Sequence, residues 1–164
     1  MKTTASRYHD FSYGHRVSGH ESKCRHLHGH NGRVHFTVQA EQLDGVGRVM
    51  DFSVIKEKLC MWVEDNWDHK FLAWEHDSLI GSMFLAGVSS ANRILSQGPD
   101  ADAQDAQMCR ESIVFVPFNP TAELMAEYLL KMVGPMQLAG TGVTLIEVTI
   151  EETRKCQATV HLEK

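Results

Sequence analysis

Seven of the ten histidines lie between His9 and His35. Imidazole is the commonest metal ligand and titrates near neutrality. Inside this crowd stands His28-Gly29-His30. Residues two apart on a strand point to the same side. Both rings can therefore reach one ion, and Gly29 places no side chain between them. His15 sits near the end of the preceding apolar segment. If the two segments pair as a hairpin, its ring joins the other two. Three neutral imidazoles with an open fourth position form the catalytic zinc arrangement, with Zn–N of about 2.0–2.1 Å. H-x-H alone arises by chance, so the competing reading is two surface histidines and one at a strand end.

Three further groups could do chemistry. Cys24 lies four residues before His28, flanked by Lys23 and Arg25. Nearby cations and a metal favour the thiolate, which could serve as a fourth ligand or as a base. Otherwise it is an exposed loop thiol. Asp68-His69 closes a helical segment. A carboxylate beside an imidazole can orient it for proton transfer, or the imidazole can simply cap the helix dipole. Glu152 continues the face of Ile146, Val148 and Ile150. On an apolar face an ionised carboxylate needs a partner, and at a strand end it can accept paired hydrogen bonds from an N–H-rich heterocycle. Glu151 belongs to the solvated face.

These groups need a scaffold. Residues 7–17 read as a strand with Phe11, Tyr13 and His15 on one face. A polar loop from Ser18 to about Leu27 leads into a second strand over 30–40. There Val34, Phe36, Val38 and Ala40 alternate with Arg33, His35, Thr37 and Gln39. Asp44-Gly45 and Gly47 mark a turn. Asp51 or Ser53 can cap a helix running to about Trp67, with Ile55, Leu59, Trp62 and Val63 inward. Residues 78–95 have weak helical character, and 97–107 is polar and acidic. Ile113–Val116 is a short apolar strand. Asn119-Pro120-Thr121 starts a helix that should stop at Gly134-Pro135 and bury Leu124, Tyr128, Leu129 and Met132. Val143–Thr153 and Cys156–Leu162 are partner strands. Hairpins with two intervening helices predict an α+β domain on an antiparallel sheet.

With 164 residues and 43% apolar content, one domain with a real core is expected, spanning 1–164 with an insertion at about 75–112. A net charge of −5 argues against nucleic acid as a partner. No apolar run reaches the 18 or more residues that span a bilayer. No signal-peptide h-region is present near the start, so a cytoplasmic location is expected. The four cysteines make no C-x-x-C pair and read as free thiols.

Taken together, six segments resemble the 6-pyruvoyl-tetrahydropterin synthase family. They are Phe11-Ser-Tyr-Gly-His15, Cys24-Arg-His-Leu-His-Gly-His30, Gly47-Arg-Val-Met-Asp-Phe52, Asp68-His69, Asn119-Pro-Thr-Ala-Glu123 and Glu151-Glu-Thr153. The resemblance implies that His15, His28 and His30 hold Zn²⁺ and that Cys24 is the catalytic base. Asp68 and His69 would be its partners, and Glu152 would anchor a pterin. Thr121 and Glu123 would lie in the segment lining that pocket. It further implies the tunnelling fold (T-fold): a four-stranded antiparallel sheet with two main helices on one face. Copies would join as an oligomeric barrel, usually a homohexamer built as a dimer of trimers, with sites between subunits.

The C-x-x-x-H-G-H spacing resembles the 6-carboxy-tetrahydropterin synthases of queuosine biosynthesis. These would convert 7,8-dihydroneopterin triphosphate to 6-carboxytetrahydropterin, releasing acetaldehyde and triphosphate without nicotinamide or flavin. The alternatives are a pyruvoyl-forming enzyme, a non-catalytic zinc or pterin-binding protein, and a tRNA-binding partner that the acidic charge disfavours. Tyr13 and Gly14 depart from the small residues, such as alanine, expected there. Trp67 replaces an expected leucine.

Overall fold

In the computed structural model, which describes residues 2–83, 107, 108 and 110–163, two alternating segments set up the scaffold. They are Thr4–His15 (β1) and His28–Ala40 (β2). They pair antiparallel from Thr4↔Gln39 to His15↔His28. The inward residues are Phe11, Tyr13 and His15 of β1 with Val34, Phe36 and Val38 of β2, all buried. The remaining strands are Lys70–Trp74 (β3), Ile113–Val116 (β4), Val143–Thr153 (β5) and Cys156–His161 (β6).

The expected antiparallel unit is present as β1, β2, β5 and β6, but among the described residues the sheet has six strands, ordered β4-β3-β1-β2-β5-β6. β3 runs parallel to β1, and β4 parallel to β3. The five residues of β3 carry too little alternation to announce a strand. Pairing with β1, distant in sequence, creates it.

Two helices cover the inward face. The first, α1, joins Phe52–Ile55, Lys56–Cys60 and Met61–Asn66, and its middle stretch is π-helical. Asp51 caps it, accepting from the Ser53 amide at 2.8 Å. Ile55, Leu59, Cys60 and Val63 are fully buried. The second, α2, joins Ala122–Tyr128, Leu129–Val133 and Gly134–Gln137. Its buried stripe is Ala122, Met125, Ala126, Leu129, Leu130 and Val133, whereas Leu124 and Met132 are exposed. The expected stripe was therefore rotated by about one residue. Nor does Gly134 stop the helix. A Cβ there would sit 2.6 Å from Leu145 Cδ2, so this glycine lets the helix press against β5. Each large side chain buried between helices and sheet contributes about 1.5–3 kcal/mol.

β5 is bulged twice. Its register against β2 shifts beside Thr37/Val38, and its register against β6 shifts between Glu151 and Thr153. The first shift puts Leu145, not Ile146, in line with buried Val148 and Ile150. The second falls at Glu152 and re-aims its side chain.

Of the expected insertion, residues 78–83 are helical. Asp77 starts this turn, its Oδ1 accepting from the Leu79 amide at 3.0 Å. Asp77 is buried, and its Oδ2 lies 2.8 Å from Arg16 Nε. The acidic stretch expected to be a loop falls almost entirely outside the described residues.

Candidate metal centre and its surroundings

Strand pairing alone brings the three predicted imidazoles together. His15 and His28 are directly opposite, and His30 faces Tyr13 one pleat along. His15 Nε2 lies 3.1 Å from His28 Nε2 and 3.1 Å from His30 Nε2. These three nitrogens are the one group of potential metal-ligand atoms found among the described residues.

The hydrogen bonds fix which nitrogen is bare. His15 Nδ1 donates to the Pro120 carbonyl at 2.6 Å. His28 Nδ1 donates to the His26 carbonyl at 2.8 Å. A carbonyl only accepts, so both rings carry their proton on Nδ1 and present a lone pair at Nε2. Two such lone pairs 3.1 Å apart repel unless a cation lies between them. Tetrahedral zinc with Zn–N of about 2.0–2.1 Å needs ligand nitrogens about 3.3 Å apart. The donor set therefore fits a divalent metal.

Electrostatics favours the neutral ligand form. Burial, then the charges of His28 and His30, lower His15 to about 4 against the pull of the Pro120 carbonyl. Burial, then His28, also lowers His30. Neutral imidazole is the form that binds metal.

Glu152 lies beside this cluster, its Oε1 3.8 Å from His15 Nε2. Burial, then the neighbouring Glu123 charge, raises its pKa, while His28 pulls it down. Glu123 itself is exposed in the first turn of α2. Thr121 is the N-cap of α2, its Oγ1 accepting from the Leu124 amide at 3.3 Å.

Cys24 is half-buried in a short turn, Lys23–Arg25, between the two histidine-bearing strands. The turn is tied to the end of β1 by Val17 N–H donating to the Cys24 carbonyl at 2.8 Å. Asp68 and His69 form a unit of their own. Asp68 Oδ1 accepts from the Ser12 amide at 2.7 Å, and Oδ2 lies 2.5 Å from His69 Nδ1. Burial pushes Asp68 up, but the Ser12 amide and His69 outweigh it, so its pKa is lowered. His69 adopts a left-handed backbone, with φ of 55°. An open cleft of about 600 Å³ has His28, His30 and His69 on its walls. No hydrogen bond joins the Asp68–His69 pair to the three-histidine cluster.

Sequence reasoning overlooked what orients His15. Asn119-Pro120-Thr121 reads as a helix start, yet it also supplies the Pro120 carbonyl. Asn119 clamps this segment to the loop after β1. Its Oδ1 accepts from the Ser18 amide at 2.9 Å, and its Nδ2 donates to the Ser18 carbonyl at 2.8 Å. Nothing in local spacing signals a contact across a hundred residues. Tyr13 also belongs to the site. Its ring meets His15 edge-on with centroids 5.2 Å apart. Burial, then the Glu152 charge, raises its hydroxyl pKa.

A sheet of this order, backed by two helices on one face, with three imidazoles at one end of its longest hairpin, defines the tunnelling-fold class. The sequence profile of the 6-pyruvoyl tetrahydropterin synthase family matches residues 4–163, and the chain belongs to that family. It is 28% identical over 148 residues to a 6-carboxy-5,6,7,8-tetrahydropterin synthase of Rickettsia felis, covering 90% of this chain and 91% of that one. The Rickettsia typhi enzyme of the same name is 29% identical over 147 residues, with the same coverage. An uncharacterized protein from Wolinella succinogenes superposes with a TM-score of 0.80 at 28% identity, covering 99% of each chain. The 6-pyruvoyl tetrahydropterin synthase of Caenorhabditis elegans superposes with a TM-score of 0.61 at 20% identity, covering 99% of this chain and 97% of that one; this supports the fold alone.

Proposed function

We propose that the chain is a zinc-dependent lyase, a 6-carboxy-5,6,7,8-tetrahydropterin synthase of queuosine biosynthesis. It would convert 7,8-dihydroneopterin triphosphate to 6-carboxytetrahydropterin, with release of acetaldehyde and triphosphate. The observation that carries this reading is the pair of bare Nε2 lone pairs held face to face by two backbone carbonyls. The similarity to enzymes named for the carboxy product supplies the substrate class.

His15, His28 and His30 would hold the metal. When bound, zinc supplies Lewis-acid polarisation of the substrate's side-chain oxygens, worth several kcal/mol. Glu152 would accept hydrogen bonds from the amino-pyrimidine edge of the pterin and fix the ring beside the imidazoles. Thr121 holds the start of α2, and Glu123 lines the approach to Glu152. Cys24 would take the side-chain proton at its sulfur. Positioned base catalysis of this kind contributes about 10²–10⁴-fold. His69, oriented by Asp68, would relay that proton.

The exposed edges β4 and β6 support assembly of copies into a closed barrel, a homohexamer built as a dimer of trimers. His69 is 81% exposed at the cleft rim, so its ring is available to a neighbouring copy's site. Among the described residues no helix is long and apolar enough to cross a membrane; a cytoplasmic enzyme that uses neither membrane nor nucleic acid is part of the proposal.

The test is direct. Purified protein is incubated with 7,8-dihydroneopterin triphosphate, and products are identified by mass spectrometry together with an acetaldehyde assay. Acetaldehyde in step with 6-carboxytetrahydropterin is expected. Triphosphate release without acetaldehyde would reassign the product to the pyruvoyl compound, and an inert substrate would remove the enzymatic reading.

A further inference from the structure

Tyr13 is almost wholly buried, at 4% exposure, yet its hydroxyl has no hydrogen-bond partner. Its ring is firmly placed. It stacks on Phe11 with centroids 4.9 Å apart, and it touches the rings of His15 and His30. Gly32 makes the placement possible, because a Cβ there would stand 2.9 Å from Tyr13 Cε1 and 3.2 Å from the Glu151 carbonyl oxygen. The ring therefore leans over Gly32 toward β5, the strand that bears Glu152. Glu152 is the complementary case: half-buried, and hydrogen-bonded to no other described residue. A buried donor without an acceptor and a half-buried carboxylate without a donor sit on β1 and β5, the two strands that flank β2. Buried polar groups are satisfied in native, working states.

We infer that Tyr13 is a positioning residue: in the ligand-loaded site its hydroxyl donates to the Glu152 carboxylate and fixes that carboxylate to receive the N–H edge of the bound heterocycle. Both groups border the same imidazole: Glu152 Oε1 lies 3.8 Å from His15 Nε2, and the Tyr13 ring centroid lies 5.2 Å from that of His15. The bond leaves lone pairs on both carboxylate oxygens facing the ligand. The resemblance expects a small residue at position 13, and such a residue would offer no donor. The tyrosine therefore gives this chain a support for its anchor that a small side chain cannot give, and Gly32 is its structural counterpart. The inference rests on Glu152 being the ring anchor.

The experiment compares wild type, Tyr13→Phe, Glu152→Gln and the double variant. Phenylalanine keeps the stacked ring and removes only the oxygen. The probe for ring anchoring is pterin itself (2-amino-4-oxopteridine), titrated by its fluorescence. Zinc per chain is measured alongside, and KM and kcat are taken with dihydroneopterin triphosphate. Tyr13→Phe should keep full zinc and a kcat within about threefold, while Kd and KM rise about tenfold, as expected for one lost hydrogen bond to a charged group. In the Glu152→Gln background the same change should have little further effect, because neighbours acting as a unit are not additive. Loss of zinc in Tyr13→Phe, unchanged Kd, or an equal penalty in both backgrounds would overturn the inference. Unchanged pterin binding in Glu152→Gln would instead overturn the anchor on which it rests.

Discussion

His28 and His30 of the imidazole cluster share one cleft with His69 of the Asp68–His69 pair, yet the chain holds cluster and pair in opposite ways. His15 is 1% exposed, locked between paired strands and oriented by a carbonyl from the start of α2. His69 is 81% exposed and stands on a left-handed turn between α1 and β3. The first region is complete within one chain, because strand register sets the distances between ligands. The second presents a carboxylate-oriented imidazole that is 81% exposed and hydrogen-bonded through its side chain, among the described residues, to Asp68 alone. Under the proposed function, metal capture and proton transfer would be built with different rigidity. A ligand set needs fixed separations, whereas a proton relay can be completed when a further surface arrives.

The largest effect should follow from breaking the first region. His28→Ala removes one of three ligands and leaves the other two unable to hold the ion tightly. Zinc measured by elemental analysis should fall below about one tenth per chain, and turnover should fall at least about a thousandfold. A variant with stoichiometric zinc would show that the three nitrogens are not the ligand set. Cys24→Ala separates the regions more finely. Zinc should stay at wild-type stoichiometry, because the thiol lies outside the imidazole cluster. Turnover should drop about 10²–10⁴-fold. Full activity in that variant would remove Cys24 as base.

The comparison sharpens when the two regions are placed on different copies. Cys24→Ala and His69→Ala are each expected to be nearly inactive alone. Refolded together from denaturant, they should regain activity toward about one quarter of wild type, the statistical yield if each site takes its thiol from one copy and its His69 from the next. Mixtures as dead as their parents would place thiol and relay in the same chain.

How far these regions could be read in the sequence follows from how local they are. His28-Gly29-His30 and the alternation after it are local, so the strand, its facing residues and two of the three clustered imidazoles were all legible. His15 followed once the two strands were taken as a hairpin. Glu152 was also found on the right face, though for an incomplete reason. Simple alternation aligned it with Ile146, whereas two bulges in β5 set the actual face through Leu145, Val148 and Ile150. The Pro120 carbonyl and the Asn119 clamp were not legible, because they act across about a hundred residues. The extra strand β3 is hidden for the same reason: five residues carry no periodicity, and the partner that makes them a strand is β1.

The smallest effect concerns stability, and it tests what anchors the outward region. Asp68 is 16% exposed, so its bond to the Ser12 amide is only partly screened by water. Its folded pKa lies below its unfolded value of about 3.9. A depressed carboxylate stabilises the fold fully above the unfolded value and loses that contribution as pH falls through the folded one. In Asp68→Asn the amide oxygen can still accept from Ser12, but the charge is gone. Urea titrations at pH 7 should therefore show the variant less stable by about 1 kcal/mol. The gap should begin to shrink as the pH is taken below about 4 and close once the pH falls below the lowered folded pKa, where the wild-type carboxylate is itself neutralised. A gap that stays constant from pH 7 down to the acid limit of the native state would mean that the charge does not hold this turn and that shape alone fixes His69 at the rim.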